Sequence, residues 1–459
     1  MKINHSPWLY QLRKDRVSHG LQNDTETDVA IIGAGIAGIA TAFFILKYTD
    51  KNVLLLERYK LAHGATGHNA GQVVSYFERG FASLVDEFGL NLATEGQKAV
   101  EDAWSLLDEM YTDAGLNIPF ARFLGHAGLS SYEQIILHLK NNYWRKRGGL
   151  NTERLIIWDH ADFLNDIPTE YKELYTTAPL EEIKTLLEIT TNDFLAVLSY
   201  QKGTVNSALF CEEILLYLLK KYPERFSFCE LTPITKIILR KDSALLDAEK
   251  YTVSAKRVVL CTNGFTGFTI INEAGLEVNT RFHHMVHGTI GYMAGYLEKM
   301  NKAPIAISYL TDPDPSPDDP YFYLTRRFYE YEGDKEYNLI SIGGPELALD
   351  DHTRYSHEHE YPEDVPAKID AFVKHIHALK PDKKIEYVFK WHGLMGYTQN
   401  GVRLIGPEPK NSVLLYNLGC NGIGILPSVY GGKRIARFVG GDDMEKSIFD
   451  VPKDYEILN

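Results

Sequence analysis

The chain has 459 residues, 44% hydrophobic and 24% charged, an ordinary globular balance over a length that one core seldom organises, so two domains are expected. Its formal net charge of −13 argues against a nucleic-acid groove and against an anionic membrane surface. The start, MKINHSPWLYQLRKDR, lacks the apolar segment of a signal peptide, and no apolar run reaches the length of about 18 residues needed to span a bilayer, so a cytoplasmic protein without an integral membrane segment is expected.

Residues 1–26 read as a polar leader whose Trp8 and Tyr10 pack on the surface of a domain. The stretch Thr27 to Arg58 follows. An apolar run, Val29 to Ile32, enters Gly33-Ala34-Gly35-Ile36-Ala37-Gly38, an apolar helical segment comes next, and a second apolar run, Val53 to Leu56, ends on Glu57. Strand, glycine turn, helix and acid-tipped strand make the pattern of a dinucleotide-binding βαβ unit. Gly33 permits the tight turn, Gly35 lets the backbone approach a pyrophosphate, and Gly38 lets helix and strand pack closely. The helix N-terminus offers free N–H groups to phosphate. Glu57 can accept hydrogen bonds from ribose hydroxyls. On these residues alone, FAD and NAD are both open.

Gly64 to Gln72 is too rich in glycine and alanine to build a core element and suits a backbone lying close to another group. Residues 82–114 carry helical periodicity, and 115–200 alternate between helical and extended segments. Gly203 to Ser207 precedes an amphipathic helix with Asn206 or Ser207 as N-cap. Short strands then lead to Val258-Val259-Leu260-Cys261-Thr262-Asn263-Gly264, an apolar strand entering a polar turn. From 280 to 345, β-branched and aromatic residues suggest a sheet face, broken by a Pro/Asp loop, Asp312 to Pro320, that reads equally as a lid or a surface loop. Residues 364–380 look helical, and glycine turns return at 391–406 and 419–428 before a last helix. The four cysteines, Cys211, Cys229, Cys261 and Cys420, form no CxxC pair and read as buried thiols in a reducing compartment.

Together these segments resemble the FAD-dependent amine and amino-acid oxidoreductases of the D-amino-acid oxidase superfamily. The likeness is carried by GAGIAG with Glu57, GATGHNAGQ, GTVNS, VVLCTNG, WHGLMGYTQNG and GCNGIGILPS. It implies an α/β fold: a Rossmann-like FAD-binding domain of the glutathione-reductase type with an inserted α+β substrate domain on a mixed sheet. The expected division is 1–90, 201–278 and 386–459 for the FAD domain, and 91–200 with 279–385 for the substrate domain. The implied reaction is oxidation of a C–N bond in a small amine or amino acid, by hydride transfer to flavin N5, with electrons passed to oxygen or to a carrier. The alternatives are a dehydrogenase acting on an aminomethyl group of a larger substrate, and a non-catalytic FAD-binding protein.

The resemblance assigns cofactor contacts to Gly33, Gly35, Ile36, Ala37, Gly38, Glu57 and Arg58. It adds Gly64, Ala65, Thr66, His68, Asn69, Ala70, Gly71 and Gln72 beside the pyrophosphate and ring, and Ile234 beside the adenine. Thr262, Asn263 and Gly264 pass under the phosphates, and Trp391, Gly393, Arg403, Asn421, Gly422, Ile423, Gly424 and Ile425 complete the set. His68 stands where dimethylglycine and sarcosine dehydrogenases carry a covalent 8α-histidyl flavin. A covalent link and a non-covalent histidine packed on the ring are both open. Amino-acid-specific members often have an arginine as carboxylate fork where this chain has Met395. Arg79, Arg326, Arg327 or Arg403 could replace it, or the substrate is an amine whose cation suits a tyrosine-rich pocket. His68, His284, Tyr323 and Arg326 are the candidate catalytic residues. His283 and His287 share the strand context of His284, whereas His352, His357 and His359 read as solvated polar surface rather than a metal site.

Overall fold

In a computed structural model, residues 4–278, 285–310, 321–333, 335–349 and 355–453 are described. Asp312 to Pro320, His283, His284 and His352 fall outside them. Among the described residues two sheets form, one of nine strands and one of ten.

The nine-stranded sheet is organised by the sequence's buried apolar runs. Thr25–Ile32 lies between Tyr251–Leu260 and Val53–Leu56, parallel to both, and Phe226–Cys229 extends it. Val29–Ile32, Val53–Leu56 and Val258–Leu260 are all buried, as expected of parallel strands covered on both faces. Leu414–Leu418 pairs parallel with the end of Tyr251–Leu260, which brings the C-terminal glycine turn beside the N-terminal one. The helices that follow the two turns, Ile36–Tyr48 and Ile425–Gly440, pack together through small residues. A Cβ on Gly432 would lie 2.7 Å from the Ala40 backbone.

The ten-stranded sheet has the long antiparallel strands Val286–Lys299, Phe322–Tyr331, Lys335–Ala348 and Phe389–Thr398 at one side. Ile305–Leu310, Phe120–Leu129 and Ala196–Val205 continue it. Gln72–Val74 and Phe389–Thr398, from stretches expected with the nucleotide domain, hydrogen-bond into this second sheet. The periodic stretch 82–114 is two helices, Phe81–Phe88 and Leu90–Ala114, divided at Gly89 with φ 78°. Asn206 caps its helix, its side chain accepting from the N–H groups of Ala208 and Leu209.

The leader departs from expectation. Trp8 is fully buried, not a surface residue. Its indole N–H donates to the Asn69 carbonyl at 2.6 Å, its ring meets Trp391 edge-on at 6.4 Å, and the Arg327 guanidinium lies over it at 5.1 Å. A tryptophan that finds both an apolar slot and an acceptor for its N–H is driven inside, and neither partner is visible from the local sequence.

Candidate functional site

One cavity of about 660 Å³ runs from the first glycine turn to the inner face of the ten-stranded sheet. At one end, Gly33, Gly35, Ile36 and Ala37 face Glu57. The Glu57 carboxylate accepts from the N–H groups of Ala34 at 2.8 Å and Tyr59 at 2.9 Å. Burial pushes this carboxyl up, against the pull of those two donors. Each oxygen keeps a second lone pair for a ribose hydroxyl. Thr66 donates no cradle of its own; its hydroxyl accepts the Ile36 N–H at 3.0 Å and holds the loop 64–72 against the helix start. Gly38 does not line the cavity. A Cβ there would lie 1.9 Å from the Gly33 carbonyl, so its task is the crossing of helix and turn.

Arg58, Gly64, Ala65, Asn69, Ala70 and Gln72 line the same cavity, as do Ile234, Thr262, Asn263 and Gly393. The Thr262 hydroxyl is buried without a partner, a donor left for a bound group. Gly71, Gly264, Trp391 and Asn421 stand behind the wall. Asn421 accepts the Thr398 N–H at 2.7 Å, and Trp391 donates to the Asn69 carbonyl at 3.2 Å. Arg403 reaches the cavity but is spent on its own turn, donating to Asn417 and to the Gly419 carbonyl. Gly422, Ile423, Gly424 and Ile425 also line the cavity, at the N-terminus of helix Ile425–Gly440.

His68 lines the cavity and is 7% exposed. Its Nδ1 is 2.9 Å from the Gly64 carbonyl, which fixes the Nδ1–H tautomer and leaves the Nε2 lone pair available. Burial, reinforced by His357, brings its pKa down to about 3. His357 is no solvated surface residue: its ring stacks on His68.

The sheet end is built by alternation. Gly393, Met395 and Tyr397 point inward from one strand, and Gly291 and Met293 from its neighbour. Tyr323 faces the cavity, whereas Arg326, three residues on, does not. Arg326 is held by the Glu188 carboxylate through two bonds of 2.6 and 2.7 Å. Arg327 stacks on Trp8, and Arg79 is bound by Glu87, Ser83 and Asn400. None of Arg79, Arg326 and Arg327 lines the cavity. His287 is exposed at the start of its strand, and His284 lies outside the described residues.

Sequence reasoning missed Glu78, Glu346, Tyr76, Tyr321, Tyr397 and Ser308, all on the cavity wall. The Tyr321 hydroxyl donates to the Glu78 carboxylate at 2.8 Å. Glu346 reaches the cavity because of a β-bulge: opposite Gly291 and Met293 stand Glu346 and Gly343, one residue too many for strict alternation. Bulges re-aim side chains in this way, and no local pattern marked this one. Behind Gln72 and Ser308 lies Lys202, fully buried, its ammonium 3.3 Å from the Ser308 hydroxyl and 3.5 Å from the Gln72 side-chain amide oxygen. Burial lowers its pKa to about 7, with Glu78 and Glu153 pulling the other way.

A double-glycine-turn cradle joined to a sheet-walled chamber is the arrangement expected of a flavin oxidoreductase. The family described as DAO, FAD dependent oxidoreductase, matches residues 28–438, and the chain belongs to it; FAD is its cofactor. The curated protein described as "Putative Rieske 2Fe-2S iron-sulfur protein YhfW", from Bacillus subtilis, is 31% identical over 173 residues, 37% of this chain and 33% of that protein. The match thus spans a third of that relative's length. Glycine oxidase from Geobacillus kaustophilus superposes with a TM-score of 0.67 at 16% identity, covering 94% of this chain and all of that one (100%). L-proline dehydrogenase from P. horikoshii gives 0.65 at 13%, covering 91% and 94%. At such identities these structures show a shared fold. Among the described residues no helix is long and apolar enough to cross a membrane.

Proposed function

We propose that this protein oxidises a C–N bond of a small amine or amino acid. The observation that carries the reading is the continuity of one cavity from Glu57, past the turn Gly422–Ile425, to a wall of tyrosines and carboxylates. A dinucleotide laid along the first part would end where a small substrate can meet it. When bound, FAD accepts the hydride of a C–H bond beside the amine nitrogen, and the resulting imine is hydrolysed by water. The chain's own residues do the rest. Gly33, Gly35 and Glu57 would hold the adenosine half, and the sheet face confines the substrate. The positive end of helix Ile425–Gly440 favours negative charge developing at that wall. Glycine oxidase and L-proline dehydrogenase, as named, act on such bonds, which supports the reading by analogy.

Oxygen or an electron carrier takes the electrons onward. The name of YhfW favours an iron–sulfur carrier, and peroxide formation during turnover separates the two acceptors. His68, with its Nε2 free and neutral, further supports a covalent 8α-histidyl flavin. Yellow colour in an acid-precipitated pellet is the expected result; colour confined to the supernatant removes the link. The reading as a whole is tested by anaerobic bleaching of the bound flavin with primary, secondary and N-methyl amines and with amino acids. If none of them bleaches it, the C–N assignment fails.

A further inference from the structure

Among the described residues, the substrate end of the cavity is lined by acid and aromatic groups with no cation hydrogen-bonded to them. Glu78 and Glu346 both line it, together with Tyr321, Tyr323 and Tyr397. The two carboxyls are near enough for Glu78 to disfavour ionisation of Glu346. Glu78 is anchored by Tyr321, and it lies against the C-terminal glycine turn: its Oε1 is 2.8 Å from where a Gly422 Cβ would stand. The same point is 3.2 Å from the Tyr397 hydroxyl. Glu346 stands opposite Gly291, a residue with no side chain to fill the space between them. No hydrogen bond or ion pair holds the Glu346 carboxylate among the described residues.

The arginines that could have bound a substrate carboxylate are engaged elsewhere. Arg326 is paired with Glu188, and Arg403 donates to Asn417 and Gly419. Lys202, whose charge Glu78 feels, stays behind Ser308 and Gln72. An α-carboxylate placed here would meet two acids, with no guanidinium among the described residues turned to it. An ammonium group would find two acceptors and several π faces.

We infer that the cavity selects a substrate with a second cationic nitrogen, of the aliphatic diamine class, held between Glu78 and Glu346 and the tyrosines while another C–N bond is oxidised. This rests on the C–N reading above and narrows its substrate class.

The test compares kcat/KM of the holoenzyme for 1,4-diaminobutane, butylamine and the corresponding ω-amino acid, each also followed by anaerobic flavin bleaching. The diamine is expected to exceed butylamine by at least about tenfold, with the amino acid poorest. In Glu346→Gln that ratio is expected to fall about tenfold, and in Glu346→Asp to recover in part. A bis-quaternary alkyl diammonium, which cannot be oxidised this way, should compete with the diamine and shift the flavin spectrum of the unmutated enzyme. This reports on the cation site even where a variant fails to fold. Bleaching by butylamine or the amino acid with no diamine preference overturns the inference and leaves the C–N reading standing. Bleaching by no amine overturns both.

Discussion

The rings of His68 and His357 stack with centroids 5.1 Å apart and planes 22° from parallel. Protonating either imidazole would bury a cation against its neighbour. Burial first, and then the adjacent imidazoles, bring His68 down to about 3 and His357 down to about 4. His63 close by is also lowered to about 4, by burial and Lys60. Folded-state values lie below the unfolded value of about 6.5, so the unfolded chain binds more protons and stability falls as pH falls. The contribution is complete above about pH 6.5 and is lost progressively toward 3–4, on the order of a few kcal/mol for the cluster. The histidine term should appear as a loss of Tm of the holoenzyme from about pH 7.5 to about 4.5, set against the opposite contribution of raised carboxyls such as Glu346. His357→Phe, which keeps an aromatic ring against His68, should flatten it. An equal slope in the variant would remove the histidine stack as the cause.

The glycine motif makes a second prediction. Gly38 approaches the Gly33 carbonyl so closely that an alanine Cβ would stand 1.9 Å from that oxygen and 3.3 Å from the Leu55 side chain. The contact is backbone, so nothing can rotate away. Gly38→Ala must push helix Ile36–Tyr48 off its strand, at a cost of about 3 kcal/mol or more, and should lower flavin content in step with stability. Gly440→Ala, away from the cavity, is the control, since its nearest neighbour is the Thr49 Cγ2 atom at 3.5 Å. Equal flavin retention in both variants would show that the crossing tolerates displacement.

Arg326 shows what was and was not legible in the sequence. Tyr323 and Arg326 are both candidate catalytic residues by sequence, yet they differ by an odd number of residues on one uninterrupted strand. Alternation forbids both from facing one side, so the parity itself contained the correction. The parallel strands, the glycine turns and the Asn206 cap were legible because each rests on a local rule of burial, steric access or capping. Glu346, Glu78 and the burial of Trp8 were not, because each depends on partners far away in the chain or on a bulge. For Arg326 the consequence is structural: Arg326→Met leaves the Glu188 carboxylate to the more distant Lys302 at 3.9 Å, and because that group is partly exposed the cost should be about 2 kcal/mol. Urea unfolding should show the loss, while turnover per bound flavin stays as in the unmutated protein. A collapse of turnover at constant stability would place the arginine in the chemistry after all.

Glu346 gives the pH dependence of substrate binding its direction. Burial, with Glu78 adding like charge, pushes its pKa up to about 8. The groups facing the same space do not supply a counter-charge. Burial pushes Glu78 up too, and burial holds Tyr321, Tyr323 and Tyr397 above their usual range, so the phenols stay neutral. Lys202, behind the wall, loses its charge near 7. At pH 7 the empty cavity therefore holds a protonated Glu346, and a bound cation would favour its ionised form. Binding should release a proton at pH 7, and affinity for a dication should rise with pH up to about 8 and then level off. Calorimetric titration with a bis-quaternary diammonium, whose own charge does not titrate, in two buffers of different ionisation enthalpy measures the protons directly. Release close to one proton at pH 7, falling toward zero at pH 9 and reduced in Glu346→Gln, is the expected outcome. Proton uptake, or release unaltered by that substitution, would show that this carboxyl does not answer the cation.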